Sequence, residues 1–371
     1  NFVSNPNRTT TDPVSDLALT VRPGLNLELN GNSTELFVTG AGEYKHYLGL
    51  NDEDGSTSGS SNLSRWNANL TLDGKFLKQG SSPIRLKLDF SHNEDPRNAT
   101  VNQRLIHNML NVGLGVDMTP GGGALKISLD YTPSLDLYTE ENKTLSTHRH
   151  AVNFKTLWKF LPKTATFFET KFDALMYLND DELLIGGAPI TNKDLSVVSV
   201  YSGLTGRITE KLGLILRAGY GQSLLAAEDL VTGEANPGGF LGQIDLQYKQ
   251  SETIKISAGF NRTLSGAAIY KYMMDNNFYL ESKATLGRRW GFAVKGSVSM
   301  LSYGQISATD GARDDVMIRA EAVASVAVTD WFVVALVDKV ETLVTSYQLE
   351  GTTGSPTYTH NDLFLRLSVR Y

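Results

Sequence analysis

The sequence predicts an all-β protein that forms a single transmembrane antiparallel up-and-down β-barrel of about 18 strands, with 16 strands as the alternative count. Three observations predict this fold class. Apolar and polar residues alternate with a period of two along most of the chain. Short turns alternate with long polar loops, and aromatic residues gather near the ends of the segments. No segment has a convincing period of 3.6 residues, so almost no helix is expected.

The last ten residues, Asp362–Tyr371, show the alternation most clearly. One predicted face is polar or charged apart from a single Phe. The other face is apolar or aromatic: Leu363, Leu365, Leu367, Val369 and Tyr371. A strand of a soluble β-sandwich could show the same pattern, so the recurrence of the pattern along the chain decides between the two folds.

The same alternation recurs through the chain and predicts about 17 strands within it. For example, Arg85, Lys87 and Asp89 alternate with apolar residues in one segment. The predicted strands lie near residues 15–30, 34–48, 64–77, 83–94, 104–118, 124–138, 147–161, 164–178, 194–209, 212–224, 239–250, 253–265, 275–288, 291–304, 315–329, 331–347 and 359–371.

The connections between these strands alternate in length. Short turns such as Pro162-Lys163 and Ser251-Glu252 alternate with long polar loops, for example near residues 49–63 and 225–238. Bacterial transmembrane barrels have short periplasmic turns and long extracellular loops. A soluble sandwich does not require this parity, and the chain has no blade repeat of the kind that a β-propeller needs.

The parity of the connections also predicts an additional first strand. The last strand follows a long loop and therefore runs towards the periplasm. Counting back through the alternating connections, the first complete strand also runs towards the periplasm. An upward strand should precede it. Residues 1–371 are therefore expected to form one outer-membrane β-barrel domain whose first strand begins upstream of residue 1. The start at Asn1 without a visible signal peptide indicates a processed or trimmed chain.

Aromatic residues form two groups at opposite ends of the predicted strands. Those beside the turns are Phe76, Phe160, Tyr248, Trp290, Phe292, Trp331, Phe332 and Tyr371. Those near the loops are Phe90, Tyr131, Phe172, Tyr220, Phe260 and Phe278. Aromatic rings favour membrane–water interfaces, so each group is expected to form a belt at one interface.

The composition excludes several classes of protein. The 371-residue chain has no Cys, which excludes a disulfide-stapled fold and a Cys-type zinc site. No apolar stretch is long enough for a transmembrane helix. The formal net charge of −6 argues against nucleic acid as a partner.

The polar face of the strands is expected to line the inside of the barrel, because charged side chains need the water-filled side. Barrels of 16–18 strands are wide enough for an aqueous channel. The candidate lumen-lining residues are Arg22, Lys75, Arg85, Lys87, Lys126, Lys155, Arg217, Lys255, Lys283, Lys295, Arg319, Glu321, Arg366 and Arg370. Their basic excess favours anionic or polar sugar solutes. Alternatively, most of these charges pair across strands and stiffen the wall.

Five aromatic residues are candidates for the inward face. An ordered row of rings along one wall would favour sugar transport, because sugars stack on rings. The candidates are Tyr47, Phe167, Tyr177, Tyr201 and Tyr279. They are too few to decide the solute class.

No combination of residues points to catalysis, so no enzyme activity, cofactor or metal is expected. The chain has no Gly-x-Ser-x-Gly elbow and no Gly-rich phosphate loop between a strand and a helix. His148 and His150 share a strand face and could bind a metal, although histidines beside a loop are more often interface residues. Asn51-Asp-Glu-Asp-Gly55 lacks the further ligands of a calcium loop.

Two parts of the chain resemble bacterial outer-membrane barrels. The last strand resembles their C-terminal strand signature, which implies that the barrel assembly machinery recognises Leu367, Val369 and Tyr371. Near the start, Asn1-Phe-Val-Ser-Asn-Pro6 and Val21-Arg-Pro-Gly-Leu25 resemble a family of β-barrel porins that often occurs with exopolysaccharide export genes.

This resemblance implies a porin-like channel in the Gram-negative outer membrane that passes polysaccharide or small polar or anionic solutes. The implied partners are outer-membrane lipid and periplasmic or outer-membrane components of export or motility machinery. The alternative is a non-conducting structural barrel that anchors a secretion, motility or surface complex. No N-terminal plug domain like that of energy-coupled receptors is found, which argues against that class.

Overall fold

A computed structural model describes residues 2–5, 15–49, 63–80, 82–95, 105–179, 183–185, 188–190, 194–225, 236–267, 272–304, 313–345 and 357–369. These residues form antiparallel β-strands and include no α-helix, as predicted. Short 3-10 segments occur between strands at Pro120–Gly123 and Glu140–Leu145.

The strands are numbered β1 to β21 along the chain. Their bounds, in that order, are Phe2–Ser4, Ser15–Val21, Gly24–Asn30, Thr34–Tyr47, Arg65–Phe76, Ile84–Asp95, Leu105–Met118, Leu125–Tyr138, Thr147–Leu161, Thr164–Tyr177, Leu183–Ile185, Ala188–Ile190, Leu195–Arg207, Leu212–Leu224, Gly238–Lys249, Ile254–Ser265, Met273–Leu286, Trp290–Tyr303, Arg313–Ala327, Phe332–Thr345 and Tyr358–Val369.

The described strands form a closed up-and-down barrel of 18 wall strands, as predicted. Strands β2 and β3 are two segments of one wall strand, because both pair with β4. Strand β1 pairs with β2 on one side and with β21 on the other, which closes the wall. Strands β11 and β12 form a separate hairpin.

The sequence-based strand bounds agree with the structure to within about two residues, apart from two differences. The predicted strand at residues 15–30 is interrupted at Arg22 and Pro23, because proline has no N–H for the ladder. The register to β4 is the same on both sides of this break. The second difference is the β11–β12 hairpin, which lies within a predicted loop.

The outward face of the wall is apolar. Leu365 and Val369 are 61% and 62% exposed, and the outward leucines of the other wall strands are similarly open. Pairs of aromatic rings lie on this face near the turns, where Trp158 contacts Phe160 and Trp290 stacks on Phe292. Charged and polar side chains occupy the opposite face. The exterior is therefore the apolar side of this molecule, the reverse of a water-soluble sandwich.

The strand that closes the wall is short. Phe2–Ser4 pairs with residues 15–17 on one side and 361–363 on the other. The ladder does not continue from these pairs towards the turns, because no pairing joins β3 to β21 within the described residues. Every residue of β3 is exposed. The completion of this strand by residues upstream of residue 1 stays a prediction.

An ion pair reinforces the closure. Lys45 Nζ of β4 lies 2.7 Å from Asp362 Oδ2 of β21, and only 4% of the lysine side chain is exposed. Thr20 lies opposite Lys45 and Val3 lies opposite Asp362, so the pair reaches across the inner side of β1 and β2. The two edges of the wall are therefore joined by side chains as well as by backbone.

Replacing Lys45 with Met should destabilise the barrel strongly. The change leaves Asp362 partly buried without its cation, and breaking a buried ion pair costs about 3–5 kcal/mol. Urea unfolding in detergent micelles, followed by tryptophan fluorescence, measures the loss. Lys87→Met is the matched control, because the open Lys87–Asp89 pair should contribute about 1 kcal/mol or less. Equal losses in the two variants would contradict the closing role of Lys45.

Candidate functional site

The candidate site is the inward face of the barrel wall. Strand alternation and register put the described members of the predicted lumen set on the face opposite the exposed apolar side chains: Arg22, Lys75, Arg85, Lys87, Lys126, Lys155, Arg217, Lys255, Lys283, Lys295, Arg319, Glu321 and Arg366. Arg370 lies outside the described residues. These charges differ in how far the wall itself neutralises them.

Glu169 of β10 is shared by three cations. Its carboxylate lies 3.3 Å from Lys171 Nζ, 3.5 Å from Arg217 and 3.9 Å from Lys155 Nζ. Only 6% of its side chain is exposed. Lys155 lies directly opposite Glu169 in the ladder, so the register of β9 against β10 creates this contact. The carboxylate holds the three basic side chains close to the wall.

Asp117 of β7 has the same role on the neighbouring part of the wall. Its two carboxylate oxygens lie 3.1 Å from Arg85 and 3.1 Å from Lys126, and Ser128 donates a hydrogen bond of 2.7 Å. Arg85 also pairs with Asp130 at 2.7 Å. Two predicted lumen cations are therefore neutralised by acidic residues on adjacent strands.

A third group joins β19, β20 and β21. Arg319 donates to Glu341 at 2.9 Å, and Tyr358 donates to the other oxygen of the same carboxylate at 2.6 Å. Lys339 lies 3.6 Å from Glu321. These side chains are more open to the lumen than Glu169, so their charges are less completely screened by the protein.

Several predicted inward aromatic residues pack into the wall. Tyr47, Phe167 and Tyr201 are 1%, 4% and 5% exposed, so their faces are not open to a solute. Phe167 lies opposite Gly203, and Tyr201 lies opposite Gly219.

The glycines opposite these rings provide the space for them. A Cβ atom at Gly203 would lie 2.5 Å from the ring of Phe167, and one at Gly219 would lie 2.6 Å from the ring of Tyr201. Only glycine therefore allows each ring to lie this close to the next strand. The remaining two candidates use their hydroxyls: Tyr279 donates to Asp245 at 2.6 Å, and Tyr177 donates to the carbonyl of Ala267 at 3.3 Å.

Some predicted lumen cations are not neutralised. Within the described part of the chain, no ion pair is formed by Lys75, Lys255, Lys295 or Arg366. Arg22 approaches Glu43 only at 4.0 Å and is largely exposed. Part of the positive charge on the inward face therefore remains available to a solute.

One cavity of about 1410 Å³ lies at the gap between β3 and β21, where inward charged residues and the outward residues Leu365, Leu367 and Val369 line it together. Its lining comes mainly from β2 to β5 and from β17 to β21. The basic lining residues are Arg22, Lys45, Arg65, Lys295, Arg319, Lys339 and Arg366, and the acidic ones are Glu43, Glu281, Glu321, Glu341 and Asp362. The cavity is therefore strongly charged and has a small basic excess.

The sequence pattern did not identify Lys45, Lys339 or Glu341 as inward charges, whereas it placed Asp362 on the polar face of the last strand. Their strands alternate imperfectly, because apolar side chains such as Val337 of β20 also lie on the inward face. The register against Arg319 and Glu321 of β19 could have identified Glu341 and Lys339, since these are directly opposite pairs.

The two histidines that could have held a metal contact each other and a tyrosine. The rings of His148 and His150 lie 5.5 Å apart edge to face, and Tyr131 Oη lies 2.8 Å from His150 Nδ1. Among the described residues, no group of three or more His, Asp or Glu side chains is arranged to hold a metal.

The predicted assembly signal lies only partly within the described chain. Leu367 and Val369 are on the outward face and largely exposed, whereas Tyr371 lies outside the described residues. No described helix is long and apolar enough to cross a membrane.

Comparison with known proteins gives structural relatives only. No known protein family and no curated protein matches the sequence. The FrpB iron transporter from Neisseria meningitidis (F5-1 variant, apoprotein form) has a TM-score of 0.53 at 9% identity, covering 93% of this chain and 61% of that chain. Its F3-3 variant has a TM-score of 0.51 at 10% identity, with the same coverage.

The structure of the FpvAI–pyocin S2 complex has a TM-score of 0.50 at 10% identity, covering 100% of this chain and 58% of that chain. This chain thus spans about three fifths of the length of these structures. At such low identity the likeness shows a shared closed-barrel fold alone. The expected resemblance to outer-membrane barrels holds for the fold, whereas its porin and polysaccharide-export parts stay predictions.

Replacing Glu169 with Gln should destabilise the wall at β9, β10, β13 and β14. The change keeps the side-chain shape but leaves three cations close together, and an uncompensated buried charge network costs roughly 1–3 kcal/mol after allowance for the partly exposed lysines. Glu281→Gln is the control, because its pair with Lys283 is more exposed. Urea unfolding in micelles measures both losses, and a smaller loss for Glu169→Gln than for the control would contradict the shared role of this carboxylate.

Proposed function

We propose that the protein is a channel of the Gram-negative outer membrane that passes small polar solutes with a preference for anions. The observation that carries this proposal is that Lys295 and Arg366 form no ion pair with the described residues, within a closed barrel whose exterior is apolar. The lumen-lining role of the predicted residues is part of the proposal.

The membrane location is supported by the distribution of side chains. Leucine and valine side chains on the outward face would gain free energy in lipid, at about 25 cal/mol per Å² removed from water. A closed barrel satisfies its backbone groups between strands, which is one of the two ways a chain can cross a bilayer. The aromatic pairs near the turns, such as Trp290 with Phe292, suit a membrane interface.

A transport role is supported by the chemistry of the inward face and by the fold. An aqueous lumen wall needs charged side chains that remain exposed, and the 1410 Å³ cavity has them. FrpB, a barrel of the same fold, is an iron transporter. A charged polysaccharide would interact with the same cations, whereas the buried rings of Tyr47, Phe167 and Tyr201 do not support stacking with neutral sugars.

The alternative function is a non-conducting barrel that anchors a secretion, motility or surface complex. One observation favours it: the carboxylates of Glu169 and Asp117 neutralise many inward cations and stiffen one part of the wall.

In either case, the barrel assembly machinery is the proposed partner for the C-terminal residues Leu367, Val369 and Tyr371.

Single-channel conductance in a planar bilayer under a salt gradient tests the proposal. We expect a steady open pore with anion preference. Lys295→Gln combined with Arg366→Gln should move the anion-to-cation permeability ratio towards one, because the change removes from the cavity two positive charges that form no ion pair within the described residues. Lys78→Gln combined with Arg288→Gln removes two basic side chains from the turns and should leave the ratio unchanged.

A barrel that shows no conductance in this measurement would contradict the channel function and favour the anchoring function. Co-purification of a periplasmic or outer-membrane component with the silent barrel would then identify the complex. If the pore conducts but its selectivity is unaffected by the Lys295 and Arg366 changes, the channel function holds. These two residues then do not determine its anion selectivity.

A further inference from the structure

A row of lysines lies at the turn end of the inward face. Lys249 of β15 lies directly opposite Lys255 of β16, and Lys255 lies directly opposite Lys283 of β17. Lys211 extends the row on the other side, because its carbonyl accepts a 2.7 Å hydrogen bond from the backbone N–H of Lys249. Three adjacent wall strands and the turn that precedes β14 therefore carry a lysine at one level. We name these four residues the lysine row.

This arrangement is unfavourable for the isolated protein. Like charges directly opposite each other in an antiparallel ladder are destabilising. Within the part of the chain that the structure describes, no ion pair is formed by Lys211, Lys249 or Lys255, and all three are exposed. Lys283 alone has a carboxylate partner, Glu281, at 2.6 Å. An anion from outside the protein would relieve this repulsion.

The lysine row borders a cavity that can admit such an anion. The cavity has a volume of about 650 Å³ and is lined by Lys211, Lys249 and Lys255 together with Lys163 and Arg207. The acidic lining residues are Glu210 and Asp245. Asp245 already accepts hydrogen bonds from Tyr279 and Gln243, so its carboxylate is partly satisfied within the protein.

We propose that the lysine row and its cavity form the docking site of a linear polyanion at the turn-end mouth of the barrel. Neighbouring strands lie about 4.8 Å apart, so the row offers positive charges at regular intervals to a chain that carries many negative groups. Lysine acts as a mobile point charge and does not impose the bidentate geometry of arginine. The site therefore attracts the polyanion without fixing one orientation.

The positions of the next cations indicate a linear ligand. Lys295 of β18 lies opposite Glu281, one inward position beyond Lys283 towards the loops. Arg319 of β19 lies opposite Ser297, one inward position further. Lys295 and Arg319 line the larger cavity. Of these two cations, Arg319 is paired with Glu341, whereas Lys295 forms no ion pair within the described residues. An extended chain can reach Lys295 from the row, and a folded acidic protein cannot. This step rests on the proposed channel function.

The lipid bilayer is not the source of the anion. The side chains of the lysine row lie on the face opposite the exposed apolar residues, whereas lipid would contact the apolar face. The ligand is a water-soluble polymer with carboxylate or phosphate groups. Oligogalacturonate and inorganic polyphosphate are probes for the two chemistries.

Fluorescence anisotropy of labelled probes with the purified barrel in non-ionic detergent tests the site. We expect oligogalacturonate or polyphosphate to bind, with affinity that falls steeply as salt rises. Lys249→Gln combined with Lys255→Gln should weaken binding on the order of ten-fold and reduce the salt dependence. Lys249→Arg combined with Lys255→Arg keeps the charges and should retain binding. This variant distinguishes weaker binding caused by lost charge from weaker binding caused by misfolding.

Lys78→Gln combined with Lys159→Gln is the matched control, because it removes two turn-end charges outside the row. Equal weakening by this control and by the Lys249 and Lys255 change would overturn the site. Binding of a folded acidic protein but of neither probe would also overturn it. Binding of both probes would support recognition of charge spacing, and binding of one would identify its acidic group.

The binding assay and the conductance assay test the docking site and the channel function separately. Probe binding by a silent barrel would support the lysine row and overturn the channel. An anion-selective pore that binds neither probe would support the channel and overturn the docking site.

Discussion

The hydrogen-bond ladder around the wall is the constraint on which the other features depend. A strand in lipid has no water to satisfy its N–H and C=O groups, so each strand needs a neighbour on both sides. Once the ladder is closed, its register decides which side chains meet inside. Glu169 can neutralise Lys155 because the two residues are directly opposite, and a shift of one strand by one residue would turn its member of the pair to the outer face. Closure therefore fixes the electrostatics of the lumen as well as its shape.

The inward face has two different parts. From β6 to β14, carboxylates such as Asp117 and Glu169 hold the basic side chains against the wall. On β16, β18 and β21, Lys255, Lys295 and Arg366 form no such ion pair in the described chain. The neutralised part contributes stiffness, and the other part contributes the potential that a solute would experience.

The fold could be predicted from the sequence because one constraint determines the residue pattern of a transmembrane strand. Its apolar face must meet lipid, so alternation in segments such as 84–90 identifies strands and bounds together. The number of wall strands followed from the parity of turns and loops. The break at Pro23 was missed because alternation continues through it, although proline chemistry gives the signal.

The site was less predictable, because alternation assigns a face but not a partner. Lys75 and Lys155 each lie opposite a glutamate in the ladder, yet of the two only Lys155 forms an ion pair within the described chain. The lysine row depends on the registers of three consecutive strand pairs, and no single strand reveals it. Interactions across strands became visible only when each register was known.

The glycines opposite Phe167 and Tyr201 have a consequence for the bore. A ring that projected from the wall would narrow the lumen by most of its own length. Gly203 and Gly219 allow these rings to lie along the neighbouring strands, within the thickness of the sheet. The bulk of these two aromatic side chains thus lies against the wall and does not project into the lumen.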